Sequence, residues 1–505
     1  MPVASTPLDE AQQLYRMGEF TRAIDRYQKI ISDGGTDAAS ADAGLARVYL
    51  KLKEPDEAFT AATKAVELDL SLATAHSALG EVYLRQGKLY EAQQEFLVPF
   101  KMKQSDARAY LGLSRLYRAT FNFKRAKVTI DKAYGLDPRD PEISAAWMDT
   151  RPRSEQMNSL ENAIAAQSNF YSRTEKARFK QRLAQMKDRA EHPERTCSLL
   201  NRPERAELPL EPMVTAGISL PVGLDVRVNG QKSRLKVIAN GSDIIINREI
   251  AEKAGVQLVV RTDMDDLGDQ NPPESYVGFV SSIGIGSLEF KNCYVTVIER
   301  ASPNSIYAKE MGSISGKRFS QYLVNLDFPS SKLRLQPLPS RPATEDPKSV
   351  AMDTGDPDAE KFQDRYTAPE MSYWEQLSEM GGQLLLPVRV NDSAPHLFDL
   401  SPTTGTFIAP QLARELASLT GKSPVPASGL NGKIDQTFWT GPVRLVFGNY
   451  YHVATREAST DLTIHSDKAG TEISGILGLD VLLNCDIKID YRDGLIQFSN
   501  GEKQK

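Results

Sequence analysis

GEVYLRQGKLYEAQQEF, residues 80–96, is one copy of a pattern that recurs through the first part of the chain. Its alanine, Ala92, has counterparts at Ala23, Ala58 and Ala126, so that successive alanines stand 35, 34 and 34 residues apart. Each of them lies in an amphipathic helical pattern. A fixed period of this length indicates helical hairpins that stack on one another.

The copies also share small and large residues at matching places. The third copy has Gly80, Tyr83 and Phe96, and the last copy closes with Leu136-Asp137-Pro138. Two helices pack closely only where a small residue faces a large one. Spacing and residue types together resemble the tetratricopeptide repeat (TPR) over residues 8–140. The resemblance implies four repeats in an α-solenoid whose concave face binds an extended protein segment.

The region after the repeats is predicted to be helical and then irregular. Apolar residues at helical spacing, including Leu160, Ile164 and Phe179, predict a helical cap over residues 141–190. Residues 191–215 contain four prolines and many charges, which predicts a linker.

The rest of the chain contains one pattern twice. Val226-Arg227-Val228-Asn229 reappears 162 residues later as Val388-Arg389-Val390-Asn391, and the downstream strand-to-helix patterns keep this offset. Short alternating runs separated by Asn-Gly and Asp-Gly turns are typical of compact β-barrels. The sequence therefore predicts two homologous β-rich lobes at 216–338 and 380–499, with a linker at 339–379.

The end of the second lobe carries a more specific signal. ISGILGLDVLLNCDIKIDYRDGLIQF, residues 473–498, resembles the close of bacterial retropepsin-like aspartic proteases, and GSISGKRFSQYLVNLDF, residues 312–328, is a weaker version. The resemblance implies two tandem retropepsin-like acid-protease lobes after the TPR α-solenoid, an α-then-β multidomain fold. Since each lobe of this family is a half-site, we expect the two lobes to pack as an internal pseudo-dimer.

The catalytic carboxylates of that family are not evident. An aspartic protease needs two adjacent carboxylates that share a proton. Aligning the family's Asp-Thr-Gly turn places residues 238–240 (Ile-Ala-Asn) on it in the first lobe and residues 400–402 (Leu-Ser-Pro) in the second. Asp399 lies one residue before the motif position; a one-residue gap could bring it there, but without such a gap the shift turns its side chain to the opposite face of the strand. The literal Asp353-Thr354-Gly355 lies in the linker, with no strand leading into it. The sequence predicts degenerate motifs and no catalytic residue.

Metals and cofactors are not predicted either. The five histidines lack metal-ligand spacing, and the three cysteines form no C-x-x-C pair. Cys293 and Cys485 lie in strand-like runs and are predicted to be buried core residues, with no disulfide framework.

Charge and hydropathy limit the kinds of partner and the cellular location that we expect. A net charge of −5 argues against a general preference for nucleic acid. No apolar run is long enough for a membrane span, and the first residues lack a signal-peptide pattern. We therefore expect a soluble chain, cytoplasmic as given, or periplasmic or exported if a signal peptide was removed.

The concave face of the repeats is the candidate binding site. Counting from the periodic alanines predicts that a basic set of side chains lines this face: Arg16, Arg47, Lys51, Arg85, Arg115 and Arg118. Glu81 is the main acidic exception. Such a face would attract an acidic protein or peptide segment. The alternative is that these charges form an ordinary solvated surface.

Three functional hypotheses remain at this level. The first is a non-catalytic protein- or peptide-binding scaffold, in which the double lobe is a pseudoprotease. The second is an active retropepsin-like aspartic endopeptidase with an atypical site. In the third, the lobes are only structural spacers.

Overall fold

A computed structural model of the chain describes residues 5–166, 169–215, 218–241, 244–263, 274–299, 312–342, 364–400, 405–422, 427–429, 432–434 and 437–500. They belong to two compact units: Met1–Leu183 with Thr344–Asp364, and Ala184–Ala343 with Arg365–Lys505. The linker tripeptide Asp353-Thr354-Gly355 lies outside the described residues. Within these ranges, no helix has the length and apolarity to cross a membrane.

The first unit is helical. Its helices are α1 (Pro7–Met17), α2 (Phe20–Asp33), α3 (Ala38–Leu52), α4 (Pro55–Leu68), α5 (Ala73–Arg85), α6 (Leu89–Lys101), α7 (Ala107–Ala119), α8 (Phe123–Leu136), α9 (Pro141–Met148), α10 (Arg153–Ala165) and α11 (Arg173–Glu191), the last of which runs on into the second unit. Helices α1–α8 form successive hairpins, as the repeat period predicts.

Small residues let these hairpins pack closely. A Cβ atom at Gly44 would lie 2.4 Å from the ring of Tyr27. At Gly80 and Gly112 it would lie 2.7 and 2.2 Å from the ring of Phe96. The periodic alanines are buried in the same interfaces. The small-against-large rule read from the sequence is therefore how the helices meet.

The second unit consists mainly of β-strands. We call β1–β12 the first β region and β13–β27 the second. The strands of the first are β1 (Ser198–Asn201), β2 (Ala206–Pro209), β3 (Glu211–Thr215), β4 (Ile218–Val228), β5 (Gln231–Ile238), β6 (Ile244–Asn247), β7 (Gln257–Asp263), β8 (Glu274–Ile285), β9 (Leu288–Ile298), β10 (Gly312–Ser315), β11 (Tyr322–Asp327) and β12 (Lys332–Pro337). Helix α12 (Arg248–Lys253) follows β6.

The second β region has shorter strands. They are β13 (Glu375–Gln376), β14 (Ser378–Met380), β15 (Gln383–Val390), β16 (His396–Leu400), β17 (Phe407–Ile408), β18 (Leu419–Lys422), β19 (Ala427–Gly429), β20 (Gly432–Ile434), β21 (Phe438–Thr440), β22 (Val443–Phe447), β23 (Tyr450–Ala454), β24 (Ala458–Ser459), β25 (Gly475–Leu477), β26 (Cys485–Asp490) and β27 (Leu495–Asn500). Its helices are α13 (Pro410–Leu416), α14 (Thr463–Ala469) and α15 (Leu479–Leu482).

Each β region has its own curved sheet. In the first, the order β9-β6-β10-β5-β4-β8 returns to β9, because β8 pairs with both β4 and β9, so the sheet closes on itself. In the second, the order is β24-β17-β25-β16-β15-β22-β23. Its middle strands β17-β25-β16-β15 occupy the places that β6-β10-β5-β4 occupy in the first. Strands β6 and β17 both lead directly into a helix, as the sequence predicts.

A third sheet joins the two regions. Its order is β13-β27-β26-β11-β12-β2, and the central pair is antiparallel, with Val324 opposite Ile489 and Asp327 opposite Asp486. Strand β11 is buried along its whole length. The expectation that the two β-rich segments pack against each other is confirmed by this sheet.

Both predicted linkers are partly wrong. Residues 191–215 contain β1, β2 and β3, which pair with β9, β12 and β4. Residues 375–379, in the second predicted linker, belong to β13 and β14. Strand pairing uses backbone groups, so edge strands tolerate the prolines and charges that looked irregular in the sequence.

The prediction for Cys293 also needs correction. It is buried, but it forms a disulfide with Cys197, 96 residues earlier. Cys485 is a buried free thiol, as predicted. A long sequence separation hides such a pair, because spacing carries no information on which distant strands become neighbours.

Candidate functional site

The two β regions build matching frames around their junction. In the first, β10 pairs parallel with β5 and antiparallel with β6. In the second, β25 pairs parallel with β16 and antiparallel with β17. Ile238 and Leu400 occupy corresponding register positions, opposite Ser315 and Leu477. The offset of 162 residues found in the sequence therefore has a structural counterpart in strand pairing.

Asn240 and Asp399 meet where the frames face each other. Asn240 lies in the turn after β5, and its Nδ2 donates a hydrogen bond of 2.5 Å to Oδ1 of Asp399 in β16. The Oδ1 atom of Asn240 accepts from the backbone N–H of Gly241 at 2.6 Å and of Leu384 at 3.0 Å. Because two N–H groups need an oxygen acceptor, these bonds fix which end of the amide faces Asp399.

Asp399 is one of the most deeply buried carboxyl groups in the second unit. Only 1% of the residue is exposed. Burial raises the pKa of Asp399 to about 7, and the nearby positive charge of Lys468 opposes this only in part. Desolvation disfavours the charged form of an acid. Near neutral pH, the carboxyl is therefore divided between its acid and its carboxylate.

His465 lies beside Asp399 but is not its ion-pair partner. Its Nδ1 is 3.8 Å from Oδ2 of Asp399 and 3.1 Å from Nε2 of Gln383. Burial, and then the charge of Lys468, lower the pKa of His465 to about 4. The ring is therefore neutral near pH 7, and the shorter contact with Gln383 is its hydrogen bond.

A small cleft opens next to Asn240. It has about 170 Å³ of empty volume and is lined by Ala239, Asn240, Gly241, Lys317, Glu379, Gly382, Leu384 and Tyr491. Two contacts hold its walls together. Lys317 of the first β region pairs with Glu379 of the second at 2.5 Å, and the Tyr491 hydroxyl donates to the carbonyl of Ala239 at 2.8 Å. Both β regions therefore contribute to the cleft.

The sequence prediction for this junction was wrong in one respect. It excluded Asp399 because the family alignment puts Leu400 at the motif position, yet Asp399 is the side chain that reaches the junction. Leu400 is buried on the alternate face of the strand. The pair is asymmetric, since Asp399 belongs to a strand and Asn240 to a turn, so a search for two equivalent carboxylates misses it. A lone acidic residue inside the apolar run HLFDL was the available signal. Ser401 and Pro402 lie outside the described residues.

The inner face of the helical unit contains a cluster of ion pairs. Its centre is Arg108, only 7% exposed, which contacts Glu81 at 3.4 Å, Asp140 at 2.7 Å and Glu142 at 2.6 Å. Burial alone would raise the pKa of Glu142, but Lys51, Arg115 and Arg108 hold it well below its ordinary value. Glu142 is therefore charged at neutral pH.

Most of the predicted binding residues belong to this network. Their pairs are Arg16 with Asp137 at 2.5 Å, Arg47 with Glu81 at 3.0 Å, Lys51 with Glu142 at 2.5 Å and Arg115 with Glu142 at 3.2 Å. Arg85 is half-buried in the last turn of α5, and Arg118 is exposed in the last turn of α7.

The positive charge of the six predicted binding residues is therefore largely balanced by acidic side chains, and their role in binding stays a prediction. Carboxylates from α5, from α9 and from the segment between α8 and α9 neutralise four of the six predicted cations. The counting rule covered only the first helices of the hairpins. It missed acids that approach from elsewhere, and it missed Arg108.

An aromatic residue from outside the repeats also packs here. Phe170, between α10 and α11, is 3% exposed and lies edge-on to Tyr15, with ring centroids 5.6 Å apart. The Lys51 ammonium lies 4.3 Å from the Phe170 ring centroid. The N–H of Asn169 donates to the carbonyl of Met17. Part of the predicted cap thus covers one end of the face.

Comparison with known proteins identifies the helices. The tetratricopeptide repeat family model matches residues 43–71 and 107–140. The chain contains TPR repeats. No curated protein sequence matches it. Among the described residues, no group of three or more His, Cys, Asp or Glu side chains is arranged to hold a metal ion.

Several solved structures are similar to part of the chain. A thermophilic TPR protein of Thermus thermophilus is 20% identical, with 36% of this chain and 96% of that chain covered and a TM-score of 0.28. A tetratricopeptide repeat protein of Parabacteroides merdae is 18% identical, with 37% and 76% covered and a TM-score of 0.25. A retropepsin-like aspartic protease of Rickettsia conorii is 18% identical, with 28% and 91% covered and a TM-score of 0.19.

Proposed function

We propose that the chain is a non-catalytic scaffold that binds a protein partner through its TPR unit and carries a degenerate, retropepsin-like double lobe. The observation that carries the proposal is the pair formed by Asn240 and Asp399. It stands between two similarly built frames, next to the segments that the resemblance to retropepsin-like proteases aligns with the two catalytic turns.

An amide cannot replace a carboxylate in this chemistry. The catalytic pair of an aspartic protease shares one proton, so that one group acts as base on water while the other acts as acid. The side-chain amide of Asn240 donates to Asp399 and has no proton that it can lose or gain near neutral pH. Within the part of the chain that the structure describes, Asp399 therefore faces no second carboxyl group with which to share a proton. The encoded pair supports a binding or structural role.

Similar strand pairing supports tandem duplication as the origin of the double lobe. The combination of β5, β6 and β10 is repeated by β16, β17 and β25 with the same directions. The pairing of β11 with β26 in a shared sheet supports a pseudo-dimer of two lobes in one chain.

Peptidase activity is the sharpest test. Freshly purified full-length chain, with Asn240 shown intact by mass spectrometry, is incubated with a mixed peptide library at acid and at neutral pH. We expect no cleavage above that of the Asp399→Asn variant. Cleavage by the wild type that the variant lacks would overturn the proposal in favour of an atypical aspartic endopeptidase.

The partner site on the TPR unit remains a proposal built on the six predicted residues. Because Arg16, Arg47, Lys51 and Arg115 are already ion-paired, an acidic partner would have to compete with Glu81, Asp137 and Glu142 for them. Arg118 is exposed at the end of α7 and is accessible for a first contact, and Arg85 lies half-buried at the end of α5.

A charge-reversal comparison tests that site. Full-length chain carrying Arg85→Glu and Arg118→Glu is expected to lose partners that the wild type captures from host extract. The matched control carries Arg389→Glu and Arg414→Glu, two exposed arginines of the second β region, and should keep them. Equal recovery by both variants would remove the TPR face from the proposal.

A further inference from the structure

The surroundings of the Asn240-Gly241 dipeptide indicate a chemical role for Asn240 as well as a structural one. Asparagine followed by glycine is chemically labile, because the glycine nitrogen attacks the side-chain amide carbon and no Cβ atom hinders the approach. Here the Gly241 N–H donates a hydrogen bond of 2.6 Å to Oδ1 of Asn240, which holds the backbone nitrogen beside the side-chain amide. The φ angle of Gly241 is +79°, in the left-handed region that glycine adopts without strain.

Two neighbours are placed to assist the reaction. The Leu384 N–H donates to Oδ1 of Asn240 at 3.0 Å, where it stabilises the negative charge that develops on that oxygen during attack. Oδ1 of Asp399 is 2.5 Å from Nδ2, the atom that must leave. A carboxyl group at this distance can deliver a proton to a departing nitrogen.

The geometry points to Asn240 as a self-deamidation site, at which Asp399 is the acid and Leu384 supplies the oxyanion donor. In the first step, Gly241 N forms a bond to Cγ of Asn240 and loses its proton to solvent. The Cγ–Nδ2 bond breaks, and Nδ2 takes a proton from Asp399 and leaves as ammonia. A cyclic succinimide remains.

Water completes the reaction. It adds to the succinimide and breaks one of the two ring C–N bonds, which gives aspartate or isoaspartate at position 240. The net change is that Asn and water become Asp and ammonia, without oxidant or reductant. The cleft beside Asn240 and Gly241 is partly open to solvent, which can supply this water.

Two further features fit this assignment. Burial raises the pKa of Asp399 to about 7, so at neutral pH a substantial fraction of the carboxyl still carries the proton that the step needs. The aspartate product would place two carboxylates side by side, and such a pair holds one shared proton. The modification would thus change the chemical character of the junction after translation.

The chain offers an internal control at Asn229-Gly230. The Asn229 side chain is held by another strand: its Oδ1 accepts from the N–H groups of Ser281 and Ser282, and its Nδ2 donates to the carbonyl of Ala254. No carboxyl group is among these hydrogen-bond partners of the Asn229 amide. Both sites share the labile dipeptide, and only Asn240 is described with an adjacent carboxyl acid.

The experiment follows both sites in the same molecule. Full-length chain is incubated at neutral pH in water enriched in heavy oxygen, then digested and sequenced by tandem mass spectrometry. A heavy oxygen atom in the new carboxyl group distinguishes deamidation during incubation from later handling. The same chain unfolded in urea gives the intrinsic rate of each dipeptide.

We expect folded Asn240 to deamidate at least about tenfold faster than unfolded Asn240, while folding slows Asn229. The Asp399→Asn variant should slow deamidation of folded Asn240 by roughly 100-fold, the usual contribution of a general acid. The Asn240→Gln variant should stay unmodified, because its ring closure is much slower. A folded-to-unfolded ratio at or below one in the wild type would overturn the proposal whether or not the variants fold. An unchanged rate in a folded Asp399→Asn variant would overturn the role of Asp399.

Discussion

The buried carboxyl of Asp399 makes stability depend on pH in a definite direction. Its pKa is raised from 3.8 to about 7, so the folded state disfavours ionisation more than the unfolded chain does. Below about pH 4 both states hold the proton and there is no penalty. As pH rises through about 7, the penalty becomes complete and stability is lost.

We therefore expect Asp399→Asn to stabilise the chain at mildly alkaline pH. The gain over wild type should approach about 4 kcal/mol, at 1.36 kcal/mol for each unit between the two pKa values, and should vanish near pH 4. Urea unfolding followed at several pH values measures it. Asp392→Asn, at a side chain that is 83% exposed, is the control and should give curves parallel to wild type. Parallel curves for Asp399→Asn would contradict the prediction.

For individual residues, the sequence predicted the matching strand positions at the junction but not which side chain reaches the junction. The offset of 162 residues correctly paired Ile238 with Leu400 in register. It could not show that Asp399 approaches Asn240, because the contact joins residues that are not equivalent under the repeat. Tertiary packing decides which non-equivalent residues meet across an interface.

Among the structural elements, the repeat helices depend on glycines that leave room for an aromatic ring. A Cβ atom at Gly112 in α7 would lie 2.2 Å from the ring of Phe96, whereas at Gly135 in α8 nothing lies within 4 Å. Gly112→Ala should therefore destabilise the chain by about 1 to 3 kcal/mol through overpacking. Gly135→Ala should stabilise it by up to about 1 kcal/mol through helix propensity. Thermal unfolding compares the two variants, which carry the same chemical change at different sites. Equal shifts in Tm would contradict the packing argument.

The stability of the helical unit should also depend on the ion-pair cluster. Glu142→Gln removes the carboxylate that faces Lys51, Arg108 and Arg115, and leaves buried positive charge uncompensated. The expected loss is about 3 to 5 kcal/mol at neutral pH. Since the folded pKa of Glu142 is depressed, this stabilisation is lost as pH falls, and the two proteins should converge in strong acid.

Urea unfolding at neutral and at acid pH measures the effect of Glu142→Gln. The control, Glu249→Gln, changes an exposed carboxylate on α12 and should leave the unfolding midpoint unchanged. A Glu142→Gln variant as stable as wild type at neutral pH would show that the cluster contributes little.

The helices themselves were predictable from the sequence. A period of 34 residues indicates a repeated helical hairpin, and the residues that recur with it mark the closely packed positions. The electrostatics of their inner face were not predictable. Asp137, Asp140 and Glu142 lie after α8, and tertiary packing brings them to Arg16, Arg108 and Lys51.

For the molecule as a whole, the disulfide is the strongest covalent constraint described. It links Cys197 to Cys293 across 96 residues, and closing a loop of this length removes unfolded-state entropy worth roughly 4 to 5 kcal/mol. We expect Cys197→Ala with Cys293→Ala to lower stability by up to this amount. Alkylation in denaturant without reductant should modify only Cys485, and with reductant all three cysteines. Modification of all three without reductant would exclude the bond.

Because β11 pairs with β26, neither β region contains the complete third sheet by itself. A fragment cut after β12 would present β11 as a bare edge, with the backbone groups that now bond to β26 left without protein partners. Such an edge is a template for any strand of suitable length, including the same strand from another copy. Two fragments would then join about a twofold axis and restore the sheet by exchange. Severing the chain between the regions would thus turn an intramolecular seam into an intermolecular one, and make the fold of each piece depend on its concentration.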